Sequence, residues 1–530
     1  MILAWGKKGG RAVKKWLVWL LAAALALGSC AGAEGAGLNM ENNHRVFYEI
    51  FTGSFSDSDG DGTGDLRGII RRMDYLNDGD PASGKSLGIE GIWLTPVFLS
   101  PSYHKYDVTD YYTIDPAFGT LEDLRELIAL CHERDVKLIL DLPLNHTSTE
   151  HQWFRNFLNA HLMHNPDNIH YDFYTWLEPG AETPAGRRFV SLKNPDLQVE
   201  ANFSDSMPEL NFDNPLVREE LVRLAAYWME QGVDGFRFDA AKYPYFGEHE
   251  RNAEFWEWYM AELRKINPHV YAVAEIWDGD GITARYLGAL NSFRFATAQT
   301  DGMIAETAKA GDVNLYAREL QNHLDQIREI NPEAMNIPFI SNHDMDRAAG
   351  YLTMASGRMH MAANLYLLTP GSPFLYYGEE IGLRGSRGGA NTDANRRLAM
   401  LWGDGDTVKD PPGSTYDKQT PYSVQDLEGM GSTLLQHYRK LIALRKANPE
   451  IARGRLTALN FPGTKAGGYL CELEGSVVGV FHNPTGKLQT LDIRAAAGRD
   501  FTELTWIGME EASLEDGKLT LGAQTSAVVR

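Results

Sequence analysis

Eight short apolar runs, separated by longer stretches of helical periodicity, constrain this chain more than any other feature. They are "VFYEIF" (46–51), "IEGIWLTPV" (89–97), "VKLILDLPL" (136–144), "GVDGFRFDA" (232–240), "VYAVAEIW" (270–277), a weaker "NSFRFA" (291–296), "NIPFIS" (336–341) and "SPFLYYG" (372–378). Segments between them, such as "TLEDLRELIALCHERD" and "NPLVREELVRLAAYWMEQ", open on a capping residue and repeat apolar positions at i, i+3 and i+4. Near-continuous apolar strands alternating with helices require a parallel sheet covered on both faces. Eight such strands over roughly 400 residues predict a (β/α)8 TIM barrel, and a doubly wound open sheet is the other arrangement the pattern allows.

The third and fourth runs are separated by an unusually long stretch, 147–212, irregular and rich in aromatic, His and Asn residues. A connection that long reads as a functional insertion. After the helical "LLQHYRKLIALRKANPEI", short alternating runs such as "GGYLCELE", "SVVGVFHN", "FTELTWIG" and "TSAVVR" predict a C-terminal antiparallel β-sandwich domain. The expected division is a barrel (45–146 and 213–450), an insertion (147–212) and a sandwich (451–530), preceded by a tether (30–44) and a leader (1–29).

The leader is basic and carries "WLVWLLAAALAL", an apolar run too short to span a bilayer comfortably and fitting a secretory signal peptide. It ends in "LGSC", which resembles a bacterial lipobox. That resemblance implies cleavage before Cys30 and a diacylglycerol on its sulfur. The protein is then expected outside the cytoplasm, lipid-anchored at the outer face of a bacterial membrane or secreted. The formal charge of −21 argues against a nucleic-acid partner. Cys131 and Cys471 read as buried hydrophobes rather than a bridge.

Several runs end in acids: Asp141, Asp239, Glu275 and Asp344. In a barrel these ends converge on one face, where active sites sit. Strand alternation turns Arg237 and Asp239 one way and Phe236 and Phe238 the other. A structural ion pair or an active-site pair both explain that placement. Crowded carboxyls beside an arginine separate in pKa, and one protonated acid with one ionised carboxylate suits glycosidic cleavage. No Cys/His metal spacing and no Gly-rich phosphate loop competes.

In order and spacing, "DLPLNH" (141–146), "GFRFDAAK" (235–242), "EIW" (275–277) and "SNHD" (341–344) resemble the four conserved regions of the α-amylase family, glycoside hydrolase family 13. "GIEGIWLTPVF", "MPELN" and "GSPFLYYGEEIG" match further signatures. The resemblance implies Asp239 as nucleophile, Glu275 as general acid/base and Asp344 as the group gripping sugar hydroxyls. It implies that Arg237 keeps Asp239 ionised, with Asp141 a supporting carboxylate. His146, His343 and Lys242 would contact the substrate, and Tyr106 would stack beneath the sugar at the point of cleavage. It implies endo-type hydrolysis of α-1,4 bonds in α-glucans with retention, by a monomer. α-Glucosidase, oligo-1,6-glucosidase, neopullulanase and glucosyltransferase activities, or a non-catalytic glucan-binding lipoprotein, are the alternatives. "MPELN" is intermediate between oligo-1,6-glucosidase and neopullulanase forms, and Ala240 after the nucleophile favours α-1,4 bonds. Tyr243 after Lys242, and Lys105 where Gly is common, leave the reducing-side subsites open.

"DSDGDGTGD" sets Asp57, Asp59, Asp61, the Thr63 carbonyl and Asp65 at the first spacings of an EF-hand-like loop. Gly68 stands where an EF-hand has Glu, so the loop is not an EF-hand. Hard oxygens at alternating positions still favour Ca2+. A second calcium involving Asn145 is left open, because Asn145 also reads as a structural hydrogen-bonder.

Overall fold

The computed structural model describes residues 38–530 except 193–195, 354–356, 389–391, 419 and 421. The leader, Cys30 and most of the tether lie outside the described residues. Seven strands form one parallel sheet: β1 (Phe47–Ile50), β2 (Gly91–Leu94), β3 (Lys137–Leu142), β4 (Gly235–Phe238), β5 (Tyr271–Ala274), β6 (Asn291–Ser292) and β7 (Phe374–Tyr376). Their order is β6-β5-β4-β3-β2-β1-β7.

The run 336–341, expected as a strand, makes only a single parallel bridge, Ile337 to Phe293. Pro338 has no amide hydrogen to give to a ladder. The segment nevertheless fills the gap between β6 and β7. Arg294 N–H donates to the Ile337 carbonyl (3.0 Å), and Phe374 N–H donates to that of Pro338 (3.0 Å). The sheet therefore curls into a barrel closed by backbone hydrogen bonds.

Strand alternation sorts the apolar side chains into two layers. Inside, Phe47 stacks on Phe374 with ring centroids 4.7 Å apart, among Trp93, Ile139, Val273, Phe293 and Phe339. Outside, Phe236 and Phe238 face the helices, Phe238 lying 4.8 Å from Trp256. Arg237 consequently points inward. The registers pair Asp141 with Arg237 and Arg237 with Val273 across neighbouring strands. An acid and a cation are thus set side by side, Asp141 two residues beyond Ile139 and Arg237 level with Val273.

Helices α1 (Leu121–Glu133) and α2 (Pro215–Glu230) start where the caps predicted. Thr120 and Asp123 form a capping box, and Asn214 caps α2 with Pro215 in its first turn. The insertion is more ordered than its sequence suggested. It holds a helix, Gln152–Leu162, and a small antiparallel sheet. Its aromatic residues are its core, with Phe154, Phe157 and Tyr174 packed at 5.0–5.7 Å.

Beyond residue 454 lie a five-stranded and a three-stranded antiparallel sheet, with Phe461, Phe481, Leu491, Leu519 and Val529 in a shared core. They meet the barrel through a buried polar chain. His437 Nε2 lies 2.7 Å from Asn364 Oδ1, Asn364 donates to Ser526 Oγ (2.9 Å), and His482 Nδ1 is 2.8 Å from that hydroxyl. Cys131 and Cys471 are free and buried. No helix among the described residues is long and apolar enough to cross a membrane. Just before β1, Arg45 ties the incoming chain down. It donates to the carbonyls of Asn42 (2.7 Å), Asn39 (2.6 Å) and Asp135 (2.6 Å), the last of these lying two residues ahead of Lys137, where β3 starts.

Candidate active site

Arg237, wholly buried on β4, organises the C-terminal mouth of the barrel. Its Nη1 donates to Asp141 at the end of β3 (2.8 Å) and to Asp239, the residue after β4 (2.5 Å). Its Nη2 lies 3.0 Å from Glu275 Oε2, directly after β5, out of line for a hydrogen bond. Asp141, Asp239 and Glu275 therefore share one guanidinium. Ala240 N–H also donates to Glu275 Oε2 (3.2 Å). Asn145 donates to the carbonyls of Asp239 (2.9 Å) and Ala240 (3.1 Å), holding Ala240 in a left-handed conformation, φ 42°.

The environments drive the acids apart. Burial, reinforced by the Asp239 and Asp344 charges and opposed by Arg237, pushes Glu275 up to about 7. Burial also raises Asp239 against the pull of Arg237. Asp344 goes the other way. Desolvation at the mouth opposes its charge although the side chain stays 43% exposed, but His343 Nε2 at 2.9 Å and Arg397 Nη2 at 2.7 Å outweigh that and hold it well below the usual carboxylate range.

Tyr106 joins this group. Its ring lies parallel to that of His343, centroids 5.5 Å apart, and its hydroxyl donates to Asp141 Oδ2 (2.8 Å). His146 stands outside the carboxyl network. Its Nε2 is 3.2 Å from the Tyr106 carbonyl, its ring packs on Phe203, and burial pushes it down to about 4. Lys242 turns to the loop after Glu275, donating to the Trp277 carbonyl (2.7 Å) and to Asp278 (3.1 Å).

Lys105 stands just before Tyr106. It takes the left-handed conformation that explains why Gly is common there (φ 66°), yet its ammonium lies buried against Asp115 at 2.7 Å. Tyr243 packs on Phe203 and Phe246, forming part of the rim where Phe203 and Trp277 stand exposed.

The sequence reading missed Glu49 on β1, against His343, and Arg397, which reaches Asp344 and the Tyr103 hydroxyl. Glu49 carried a usable signal, a charge at an inward position of an apolar strand. Arg397 lies in an irregular loop with no pattern to mark it.

In the acidic loop, carboxylate oxygens of Asp57, Asp59 and Asp61 gather within 4.8 Å of one another. Thr63 N–H donates to Asp61 Oδ1 (2.6 Å). Asp65 does not join that trio. One of its oxygens caps the next helix through Gly68 N–H (2.7 Å), and the other accepts Ser58 N–H (2.8 Å). An acid at a helix N-cap and an acid ligand look alike in sequence.

A closed parallel barrel with carboxyls from successive strands gathered on one arginine at its mouth is the architecture of a barrel glycoside hydrolase. The family described as "Alpha amylase, catalytic domain" matches residues 49–454. "Alpha-amylase 3" of Dictyoglomus thermophilum is 34% identical over 495 residues, covering 92% of this chain and 93% of that protein. A "4-alpha-glucanotransferase" of Thermotoga neapolitana is 28% identical over 454 residues, covering 83% of this chain and 95% of its own length. The structure of Eubacterium rectale Amy13B superposes with a TM-score of 0.84 at 31% identity, covering 93% of this chain and 96% of that one. The chain belongs to the α-amylase family of glycoside hydrolases, family 13.

Proposed function

We propose that this enzyme hydrolyses internal α-1,4 bonds of starch and maltodextrins with retention of configuration. The observation that carries this reading is the single guanidinium of Arg237 in reach of both Asp239 and Glu275. It favours the short carboxyl separation of retaining enzymes, about 5–5.5 Å, over the wider gap that admits a water. Asp239 attacks the anomeric carbon while Glu275 gives its proton to the departing glycosidic oxygen, and a glycosyl ester forms on Asp239. Glu275 then takes a proton from water, whose oxygen displaces Asp239. Asp344, kept anionic by His343 and Arg397, grips the sugar hydroxyls, and Tyr106 offers its ring face.

Release of maltooligosaccharides from soluble starch tests the reading. Glu275→Gln should lower kcat at least about 100-fold, as loss of a general acid does. Unchanged release would remove Glu275 from its role. Product profiles on starch, pullulan, maltose and isomaltose separate α-1,4 from α-1,6 cleavage.

A second reading, transfer of the glycosyl group to another glucan, draws on the rim. Trp277, two residues after Glu275, is 66% exposed and stacks on Phe295, a platform on which an acceptor sugar could lie. Products longer than the substrate at high maltotriose concentration would support it.

Ca2+ is our proposed ligand for the Asp57, Asp59 and Asp61 loop, whose hard oxygens suit it. There the ion would act structurally, and chelation should lower Tm. The lipobox-like "LGSC" supports export and anchoring at Cys30. Cys30→Ala should release the protein from the membrane fraction.

A further inference from the structure

Glu49 is an inward-facing carboxyl on β1 that the hydrolytic steps do not use. It is 1% exposed. Its Oε1 lies 2.5 Å from His343 Nδ1 and accepts the His343 backbone N–H at 3.3 Å. Across the ring, Nε2 lies 2.9 Å from Asp344 Oδ2 and 2.7 Å from the Tyr106 hydroxyl. That hydroxyl directs its hydrogen to Asp141 Oδ2, so its oxygen meets Nε2 as an acceptor.

Both ring nitrogens thus face oxygen acceptors. A neutral imidazole donates from one nitrogen only and would set the other's lone pair against an oxygen. Asp141 is a further anion on the Nε2 side, linked to the ring through the Tyr106 hydroxyl and engaged by Arg237. The edge of Trp93 lies against the ring, Arg397 donates to the His343 carbonyl, and Arg237 is occupied by Asp141 and Asp239.

We propose that Glu49 is a positioning residue that keeps His343 doubly protonated, so that the imidazolium holds Asp344 ionised and turned toward the sugar site. The proposal deepens the hydrolytic reading above and rests on the role given there to Asp344. The charge balance agrees with the geometry. Burial works against a charged ring, but Asp344 and Glu49 outweigh it and push His343 up to about 10. Burial also raises Glu49, with His343 and Arg237 pulling against it. The pair therefore shares its proton across a 2.5 Å contact, and the geometry on the Nε2 side decides where it rests. The site then holds three buried cations, with Arg397 beside Asp344 as the third. Arg237 serves the nucleophile, and His343 serves the stabilising acid.

Long-range proton–nitrogen NMR of the full chain carrying 15N-histidine tests this without substrate, His343 being assigned through His343→Asn. At pH 8, above the ordinary histidine range, both nitrogens of His343 should carry hydrogen. Glu49→Gln preserves an acceptor but removes the charge. At the same pH its ring should hold a single hydrogen, kcat/KM should fall about 10- to 100-fold, the size of a lost charge-assisted hydrogen bond, and the alkaline loss of activity should set in at a lower pH than in the wild type. Glu49→Asp should retain the imidazolium. A wild-type ring carrying hydrogen on one nitrogen, with the other proton on Glu49, overturns the proposal. So does a Glu49→Gln ring that stays doubly protonated. Should Glu49→Gln not fold, the wild-type spectrum decides. The spectrum is read on the free enzyme, so it stands whether or not starch proves to be the substrate.

Discussion

Arg237 compensates three carboxyls at once, and that makes it harder to replace than any one of them. Removing it would leave the buried Asp141 and the part-buried Asp239 and Glu275 without that counter-charge. Arg237→Leu should therefore cost about 3–5 kcal/mol of stability in chemical denaturation as well as nearly all activity. Glu275 carries a separate pH signature. It must be protonated to give its proton away, and its environment sets it to about 7. kcat/KM should therefore decline as pH rises through about 7, and a profile flat to pH 9 would contradict this. The strand-end acids and Arg237 were legible in the sequence because charge at the end of an apolar run stands out. Arg397 was not, because its importance arises only when a distant loop folds over Asp344. Asp65 caps a helix in the structure, and capping and metal ligation recruit the same side chain, so the sequence alone does not separate the two.

Strand β4 shows how closely an element can depend on one small residue. A methyl on Gly235 would lie 2.0 Å from the Tyr271 carbonyl oxygen, inside the ladder between β4 and β5. Gly235→Ala should force those strands apart, lower Tm and reduce activity by moving Asp239 relative to Glu275. Unaltered Tm and kcat would show that the barrel can absorb the shift. Most barrel strands were visible in advance because both of their faces are apolar. The segment 336–341 looked like another, but Pro338 limits it to isolated hydrogen bonds. The insertion looked irregular because its order comes from aromatic packing, which has no sequence period.

The joint between barrel and C-terminal sheets gives the whole molecule a dependence on acid. Burial pushes His437 and His482 down to about 3, so both are neutral in the native state. Unfolded, they bind protons near the ordinary value of about 6.5. Their contribution to stability is complete above that value and is lost as pH falls toward 3. Tm should drop between pH 6 and pH 4, and His482→Gln should flatten that drop. Equal slopes would exclude His482 as a source. The sequence announced two domains here through a change of texture, but the histidine chain joining them comes from residues far apart in the sequence.

The bonds that Arg45 makes have a consequence for orientation. They fix the entering polypeptide at the closed floor of the cylinder, beneath the starts of β1 and β3, whereas Asp239 and Glu275 open at the opposite end. The polypeptide thus enters the barrel at the end farthest from the acids, so nothing attached through this segment need cross the catalytic opening.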